Sequence, residues 1–139
     1  MLIRSANNPA MVACWLAATK AGAVVINAMT MLRAGELSAI VDKAEITHVL
    51  CDTRLMGELN DCASTRKFLR TVIGFDGTAN HEGALDRLAL DKPVHFDAVP
   101  TGRDDVALLL SRSGWAGWRF FRCVLVLLRL CWKPPHHPI

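Results

Sequence analysis

Residues 8–52 constrain the fold most, because they alternate helix and strand signals with very short connections. Pro9 follows Asn8, which suits the first turn and the N-cap of a helix, and Gly22 ends the helical spacing. The short β-branched run Ala23–Ile26 then predicts a buried strand. A helix followed so closely by a strand is typical of layered α/β domains.

The same alternation continues along the chain. Leu37, Ile40 and Val41 share one face of a second helix that opens at Ala34, and Ile46–Cys51 predicts the next strand. The later predicted elements are a helix over Thr53–Cys62, a strand over Leu69–Phe75, one helical turn at Ala84–Leu90 within the connector 76–100, and a strand over Asp104–Leu110. Such short units pair in parallel, so we predict an α/β fold with a layered, mostly parallel sheet and flanking helices.

Composition limits the class of protein. The 139 residues fit one domain at most, and 52% hydrophobic residues can form a core. Residues 1–109 hold 11 Lys and Arg against 13 Asp and Glu, whereas residues 110–139 hold five basic residues and no acid. The net charge of +3 therefore comes from the tail, and we predict no nucleic-acid partner.

Cysteine use and hydropathy indicate a compartment. The five cysteines are odd in number and never form a C-x-x-C pair, which predicts free thiols and a cytoplasmic protein. No signal peptide is recognised at the N-terminus, and the apolar run Cys123–Leu128 is too short for a transmembrane segment.

Three blocks carry a resemblance to a known family. They are Ala17–Val25, then Leu32–Ile40 leading to Val49–Asp52, and finally Asp104–Leu109. In order and spacing they resemble the adenylate-forming acyl-CoA synthetases. Their amino-acid sequences are most similar to those of benzoate- and 2-aminobenzoate-CoA ligases. The resemblance implies that residues 1–109 are an incomplete subdomain, part of the N-terminal domain of such an enzyme.

The resemblance also implies a reaction in two steps. A carboxylate attacks the α-phosphate of ATP to give an acyl-adenylate and pyrophosphate, and coenzyme A then displaces AMP to give the thioester. The implied substrates are a small aromatic carboxylic acid, ATP and coenzyme A, with Mg²⁺. An anion attacking a polyanion needs dense positive charge or N–H groups around the phosphates. The family meets that need with a Ser/Thr/Gly-rich loop that ends in Pro-Lys.

The chain departs from the family at this loop. After Leu109, only Ser113, Gly114 and Gly117 keep a S-G-x-x-G pattern. A tryptophan and an alanine replace the two threonines, and Phe120 stands where the lysine belongs. Loss of the hydroxyls and of the charge predicts a degenerate phosphate-loop relic, with no catalytic residue, metal site or resident cofactor in this chain.

The tail, residues 110–139, is interpreted as aberrant. Ser113–Lys133 can be back-translated into codons, and these codons can be translated again in a neighbouring frame. The resulting amino-acid sequence is similar to the family's glycine-rich helix and following strand. We therefore expect an internal deletion with a frameshift. The alternatives are a basic aromatic segment around Arg119 and Trp132 that binds a membrane surface or single-stranded nucleic acid, and a zinc site that includes Cys131 and His136. The spacing matches no familiar zinc module.

Three functions remain open at this point. The first is a fragment of an AMP-dependent acyl- or aryl-CoA ligase that is inactive alone. The second is a non-catalytic interaction protein that binds a ligase subunit or a membrane through its tail, and the third is a working ligase with a shifted loop. Because a partial sheet leaves its edges open, we also expect marginal stability and self-association through those edges.

Overall fold

The computed structural model describes residues 1–63, 67–78, 80, 82–111 and 120–123, with side chains left out at 63, 110, 111 and 120–123. Six strands and four helices follow one another along these residues. They are β1 (Leu2–Arg4), α1 (Pro9–Lys20), β2 (Val25–Ala28), α2 (Ala34–Lys43), β3 (His48–Asp52), α3 (Met56–Ala63), β4 (Thr71–Phe75), α4 (Ala84–Leu90), β5 (Leu108–Ser111) and β6 (Phe120–Cys123). A short 3-10 turn, Thr53–Leu55, leads into α3.

The strands form one sheet in the order β4-β3-β1-β2-β5-β6. The first five strands are parallel, and β6 pairs antiparallel with β5. The predicted α/β fold with a mostly parallel sheet is therefore confirmed. Strand β6 is an addition, because the sequence predicts no strand after residue 110.

The first helix ends as its residues require, but the strand after it begins later than predicted. Asn8 caps α1 by accepting a hydrogen bond from the Met11 N–H at 2.8 Å. At the other end, Gly22 has φ +75°, and the Ala23 N–H donates to the Ala18 carbonyl at 2.9 Å. This is a Schellman turn, which leaves Ala23 to the end of the helix rather than to the strand. The predicted strand Ala23–Ile26 is corrected to Val25–Ala28.

The second helix ends in the same way. Glu45 takes the left-handed conformation with φ 47°, and the Ile46 N–H donates to the Val41 carbonyl at 3.0 Å. Because Ile46 belongs to this turn, the strand predicted from Ile46 starts only at His48. The buried residues of α2 are the predicted triad of Leu37, Ile40 and Val41.

The last parallel strand also begins late. Asp105 lies in a turn in which its N–H donates to the Gly102 carbonyl and its carboxylate accepts from the Gly102 N–H. The strand predicted over Asp104–Leu110 is thus Leu108–Ser111, and the acidic residues belong to the turn before it. Helix α4 covers Ala84–Leu90 and is longer than the single turn predicted.

The core has two halves, one on each face of the sheet. Under α2 and α3, the first half contains Leu2, Leu37 and Leu59, all with no exposed surface. Under α1 and α4, the second half is built around Ile3 and Phe75. Side chains alternate between the faces along each strand, as they do in any pleated sheet.

Candidate functional site

The carboxyl ends of the parallel strands bring polar side chains to one edge of the sheet. Ser5 follows β1, Asp52 ends β3 and Asp76 follows β4, and all three side chains are buried. In open α/β sheets, ligands bind at this edge, outside the carboxyl ends of the strands. These residues are therefore the candidate functional site.

Asp52 is paired with a neighbour on its own chain. Its Oδ1 accepts from the Arg54 backbone N–H and from Nε, at 3.1 and 2.9 Å, and its Oδ2 accepts from Nη2 at 2.6 Å. The Ser5 hydroxyl lies 3.5 Å from the same Oδ2. The Arg54 guanidinium holds the pKa of the Asp52 carboxyl below its usual range, so Asp52 is an anion with its acceptors already occupied.

A second carboxylate organises the loop after β4. Asp76 accepts from the Thr78 backbone N–H at 2.8 Å, from the Thr78 hydroxyl at 2.7 Å and from the Glu82 N–H at 3.3 Å. These hydrogen bonds, those from Thr78 above all, lower the pKa of the Asp76 carboxyl. Asp76 thus shapes its own loop.

The Asp52–Arg54 pair packs closely against a glycine. A Cβ added at Gly77 would come within 3.0 Å of Asp52 Oδ2, Arg54 Nη2 and Asn8 Nδ2. Only a residue without a side chain allows the backbone to approach this closely. The edge is therefore packed with internal polar contacts.

Arg4 is the most deeply buried cation at this edge. It has 1% of its surface exposed, and its Nη2 donates to the carbonyls of Thr30 and Leu32 at 3.1 and 2.8 Å. Its Nε and Nη1 are buried and have no hydrogen-bond partner among the residues that the structure describes. The guanidinium holds the loop between β2 and α2 against the sheet.

The predicted site residues Ser113, Gly114 and Gly117 lie outside the described residues. Strand β5 ends at Ser111 and is parallel to β2, so its carboxyl end faces the same edge as Asp52 and Asp76. The residues that sequence reasoning missed are those two carboxylates. Each directly follows an apolar run, in the segments VLCD and IGFD. That position at the end of a predicted strand could have indicated them as site residues.

A separate cavity of about 840 Å³ opens on the side of the sheet that carries α1 and α4. Its walls are mainly apolar, and alanines of α1 such as Ala10, Ala13 and Ala17 line it. Cys14 also faces it, and burial raises the pKa of this thiol to about 11. A thiol with so high a pKa is a poor nucleophile at neutral pH.

A histidine of β3 makes a local polar contact. His48 is the first residue of β3, and its Nδ1 lies 2.7 Å from the Thr47 hydroxyl. Among the described residues, no group of three His, Cys, Asp or Glu side chains could hold a metal ion. No helix in the described part of the chain is long and apolar enough to cross a membrane. The proposed zinc ligands Cys131 and His136 lie outside the described residues.

Comparisons with known proteins agree on the family. The sequence model of the AMP-binding enzyme family matches residues 1–114. An uncharacterised acyl-CoA ligase of Bacillus subtilis, YtcI, is 31% identical over 106 residues, which are 76% of this chain and 19% of YtcI.

Solved structures show the same fold. ATP-bound MatB of Rhodopseudomonas palustris superposes with a TM-score of 0.68 and 25% identity, over 84% of this chain and 23% of MatB. The luciferase-like enzyme of the mealworm Zophobas morio gives a TM-score of 0.74 at 17% identity, over 88% of this chain and 29% of that enzyme. The chain thus spans 19–29% of the length of these proteins. Its sequence match and its parallel sheet together show that it belongs to the AMP-binding enzyme family, with similarity to acyl-CoA ligases.

Proposed function

We propose that this chain is a scaffold piece of an AMP-dependent acyl- or aryl-CoA ligase and that the 139 residues alone do not catalyse the ligase reaction. The observation that carries the proposal is the sequence after β5. At the position of the family's phosphate loop it offers Ser113, Gly114 and Gly117 but no lysine and no pair of threonines. The family match ends there as well, at residue 114.

The charges at the carboxyl edge support the same proposal. A triphosphate carries several negative charges and requires cations or N–H groups that are free to meet it. The Arg54 guanidinium is paired with Asp52, and Arg4 is buried beneath the loop after β2. Asp52 and Asp76 both keep negative charge at neutral pH, which would repel a phosphate at this edge.

A small aromatic carboxylic acid is the proposed substrate of the complete enzyme. This rests on wording similar to benzoate- and 2-aminobenzoate-CoA ligases in blocks such as Ala17–Val25 and Leu32–Ile40. ATP, Mg²⁺ and coenzyme A would be the cofactors and co-substrates of that complete enzyme, and none of them is proposed to be resident in this chain. The described cysteines Cys14, Cys51 and Cys62 are free thiols, which supports a cytoplasmic location.

ATP–pyrophosphate exchange tests the proposal. The purified 139-residue chain is mixed with benzoate or 2-aminobenzoate, ATP, Mg²⁺ and labelled pyrophosphate, and intact YtcI is assayed with the same acids. We expect no exchange above background with this chain and no heat of Mg-ATP binding in titration calorimetry. Tight ATP binding together with exchange would overturn the proposal and would favour a working ligase with a shifted loop.

The proposed origin of the tail has its own test. If residues 110–139 arose by deletion and frameshift, the DNA of the locus will encode family-like text in the neighbouring frame downstream of the codon for Leu109. An undisturbed frame with no such text would contradict this origin. That result would leave the proposal for residues 1–109 unchanged.

A non-catalytic interaction protein is the second candidate. The observation that favours it is the apolar outer surface of α1, where Val12 and Leu16 are 51% and 55% exposed. Open sheet edges also support self-association, because β4 lies at the end of the sheet. Sedimentation of the purified chain over a range of concentrations tests this, and a monomer at all concentrations would contradict it.

A further inference from the structure

The cavity on the α1 and α4 side of the sheet lies between these two helices, and strands β3 and β4 form its floor. Leu50 of β3 and Phe75 of β4 line the floor, and Leu85 lines the wall on α4. Sites that bind small molecules usually have volumes of about 300–1,000 Å³. The cavity volume of about 840 Å³ lies within that range.

The space exists because the side chains of α1 that border it are small. Ala10, Ala13 and Ala17 follow at intervals of three and four residues, so they lie on one side of the helix and line the cavity together. Protein interiors are close-packed and contain few voids larger than a water molecule. A space of this volume therefore has room for a molecule that does not belong to the described part of the chain.

One carboxylate gives the cavity its charge. Asp86 lines it from α4, and the described lining residues include no other Asp or Glu and no Lys or Arg. The Oδ2 of Asp86 accepts from the Asp76 N–H at 3.1 Å, which fixes the carboxylate at the end of the cavity near the carboxyl edge of the sheet. Its charge is the second cause, after burial, of the raised pKa of the Cys14 thiol on α1. The negative charge of Asp86 is therefore felt on the opposite wall of the cavity.

The other end of the cavity is polar but holds no carboxylate. Met1 lines it there, and its amino group donates to the Val24 carbonyl at 2.9 Å. Thr47 and His48 lie at the same end, before the run of β3, and contact each other. The length of a five-residue strand such as β4 is about 15 Å, so this end is remote from Asp86. The cavity thus has an apolar middle and a negative charge at one end.

We propose that this cavity binds a small organic cation, in which a protonated amine lies at Asp86 and an apolar body lies against the alanines of α1. Removal of the apolar body from water would stabilise the complex, and the carboxylate would select the head group by charge. A neutral molecule with the same body gains only the apolar burial, and an anion is repelled. The inference goes beyond the proposed function, because it involves neither ATP nor the ligase reaction.

Three probes with one body and different head groups test the proposal. Naphthylmethylamine is a cation at neutral pH, naphthylmethanol is uncharged, and naphthoate is an anion. Each is titrated into the purified 139-residue chain by calorimetry, without ATP. We expect the amine to bind about tenfold more tightly than the alcohol, because a charge-assisted hydrogen bond replaces a neutral one, and we expect naphthoate to bind most weakly.

Two variants locate the binding. Asp86→Asn still accepts from the Asp76 N–H but loses the charge, so the amine should bind only as tightly as the alcohol, whose affinity stays unchanged. The control is Asp91→Asn at the exposed C-cap of α4, which should keep the tenfold preference. Ala17→Trp places an indole in the cavity and should weaken the binding of all three probes. Its control is Ala39→Trp, at an exposed position of α2 on the other side of the sheet.

The proposal is wrong if no probe binds, if the three probes bind equally, or if naphthoate binds best. It is also wrong if Ala17→Trp leaves the affinities unchanged, since the probes would then bind elsewhere. A dimer that Ala17→Trp dissociates and the amine does not would assign the cavity to a second copy of the chain and would overturn the proposal too. Should Asp86→Asn fail to fold, the order of the three probes on the unchanged chain and the effect of Ala17→Trp decide the matter.

Discussion

The two faces of the sheet are covered by helices to different degrees. On the side of α2 and α3, the core residues Leu37 and Leu59 have no exposed surface, and charged residues such as Glu36 and Asp61 cover the outside. On the side of α1 and α4, a cavity of about 840 Å³ remains open, and the exposed residues of α1 are apolar except for Lys20. The same sheet therefore carries one face that is complete within the described residues and one that is not.

This difference bears on how much each side contributes to stability. Every strand alternates its side chains between the faces, so both halves of the core depend on the same strands. A helix stabilises its side of the sheet only when its apolar surface is removed from water. We expect most of the stability to come from the α2 and α3 side.

The largest loss of stability should come from a substitution on the α2 and α3 side of the sheet. Leu37→Ala removes a fully buried side chain, and we expect it to lower the free energy of unfolding by about 2–5 kcal/mol in urea titrations. The matched control is Leu16→Ala on α1, which is 55% exposed and should change the value by less than about 0.5 kcal/mol. Equal losses at the two positions would mean that both faces are covered in solution, which breaks the comparison.

The second effect concerns the end of α1. Gly22→Ala places a side chain at φ +75°, with Val99 only 3.1 Å from the new Cβ. We expect a loss of about 1–2 kcal/mol, because L-residues avoid the left-handed region. Gly35→Ala, which has open space and a helical position in α2, should instead be neutral or slightly stabilising. Thermal unfolding of the two variants decides the matter, and a harmless Gly22→Ala would show that the turn after α1 is not formed.

Acid should destabilise the chain at the carboxyl edge of the sheet, where Asp52 and Asp76 lie. The pKa values of Asp52 and Asp76 lie below their usual range, so the unfolded chain binds protons more readily. Their contribution is complete above about pH 4, the unfolded pKa, and is lost as the pH falls through the lower folded values. Urea titrations between pH 7 and pH 3 should show this decline.

Asp52→Asn is the control for that acid dependence. The amide keeps the size of the side chain but loses the ionic pair with Arg54, so we expect about 1 kcal/mol less stability at pH 7 and a shallower decline in acid. An unchanged pH profile in the variant would assign the acid sensitivity to other groups.

The smallest effect is a gain at the end of α2. Glu45 holds the same left-handed position as Gly22 but with φ 47° and a side chain that resists it. Glu45→Gly should raise the free energy of unfolding by about 0.5–1 kcal/mol, after the entropy cost of glycine is subtracted. Glu45→Ala keeps the strain and should show no such gain. If glycine destabilises the chain, Glu45 makes a compensating contact that the turn geometry alone does not reveal.

The sequence by itself determined the order and type of the elements as far as residue 110. Helical spacing placed Leu37, Ile40 and Val41 on one buried face, and Asn8 with Pro9 marked the start of α1. Short connections required parallel pairing. These features are local, because spacing and capping act within a few residues, and they were confirmed.

Only the tertiary structure decided the exact starts of the strands, the pairing of Asp52 with Arg54, and the exposure of α1. In the sequence, Ala23 and Ile46 look like strand residues. In the structure, each donates its backbone N–H to a carbonyl of the helix that precedes it. Nearly all residues of α1 are apolar, so its sequence does not say which side the sheet covers and which remains open. That depends on contacts between segments far apart in the chain, because burial is a property of neighbours in space and not of neighbours in sequence.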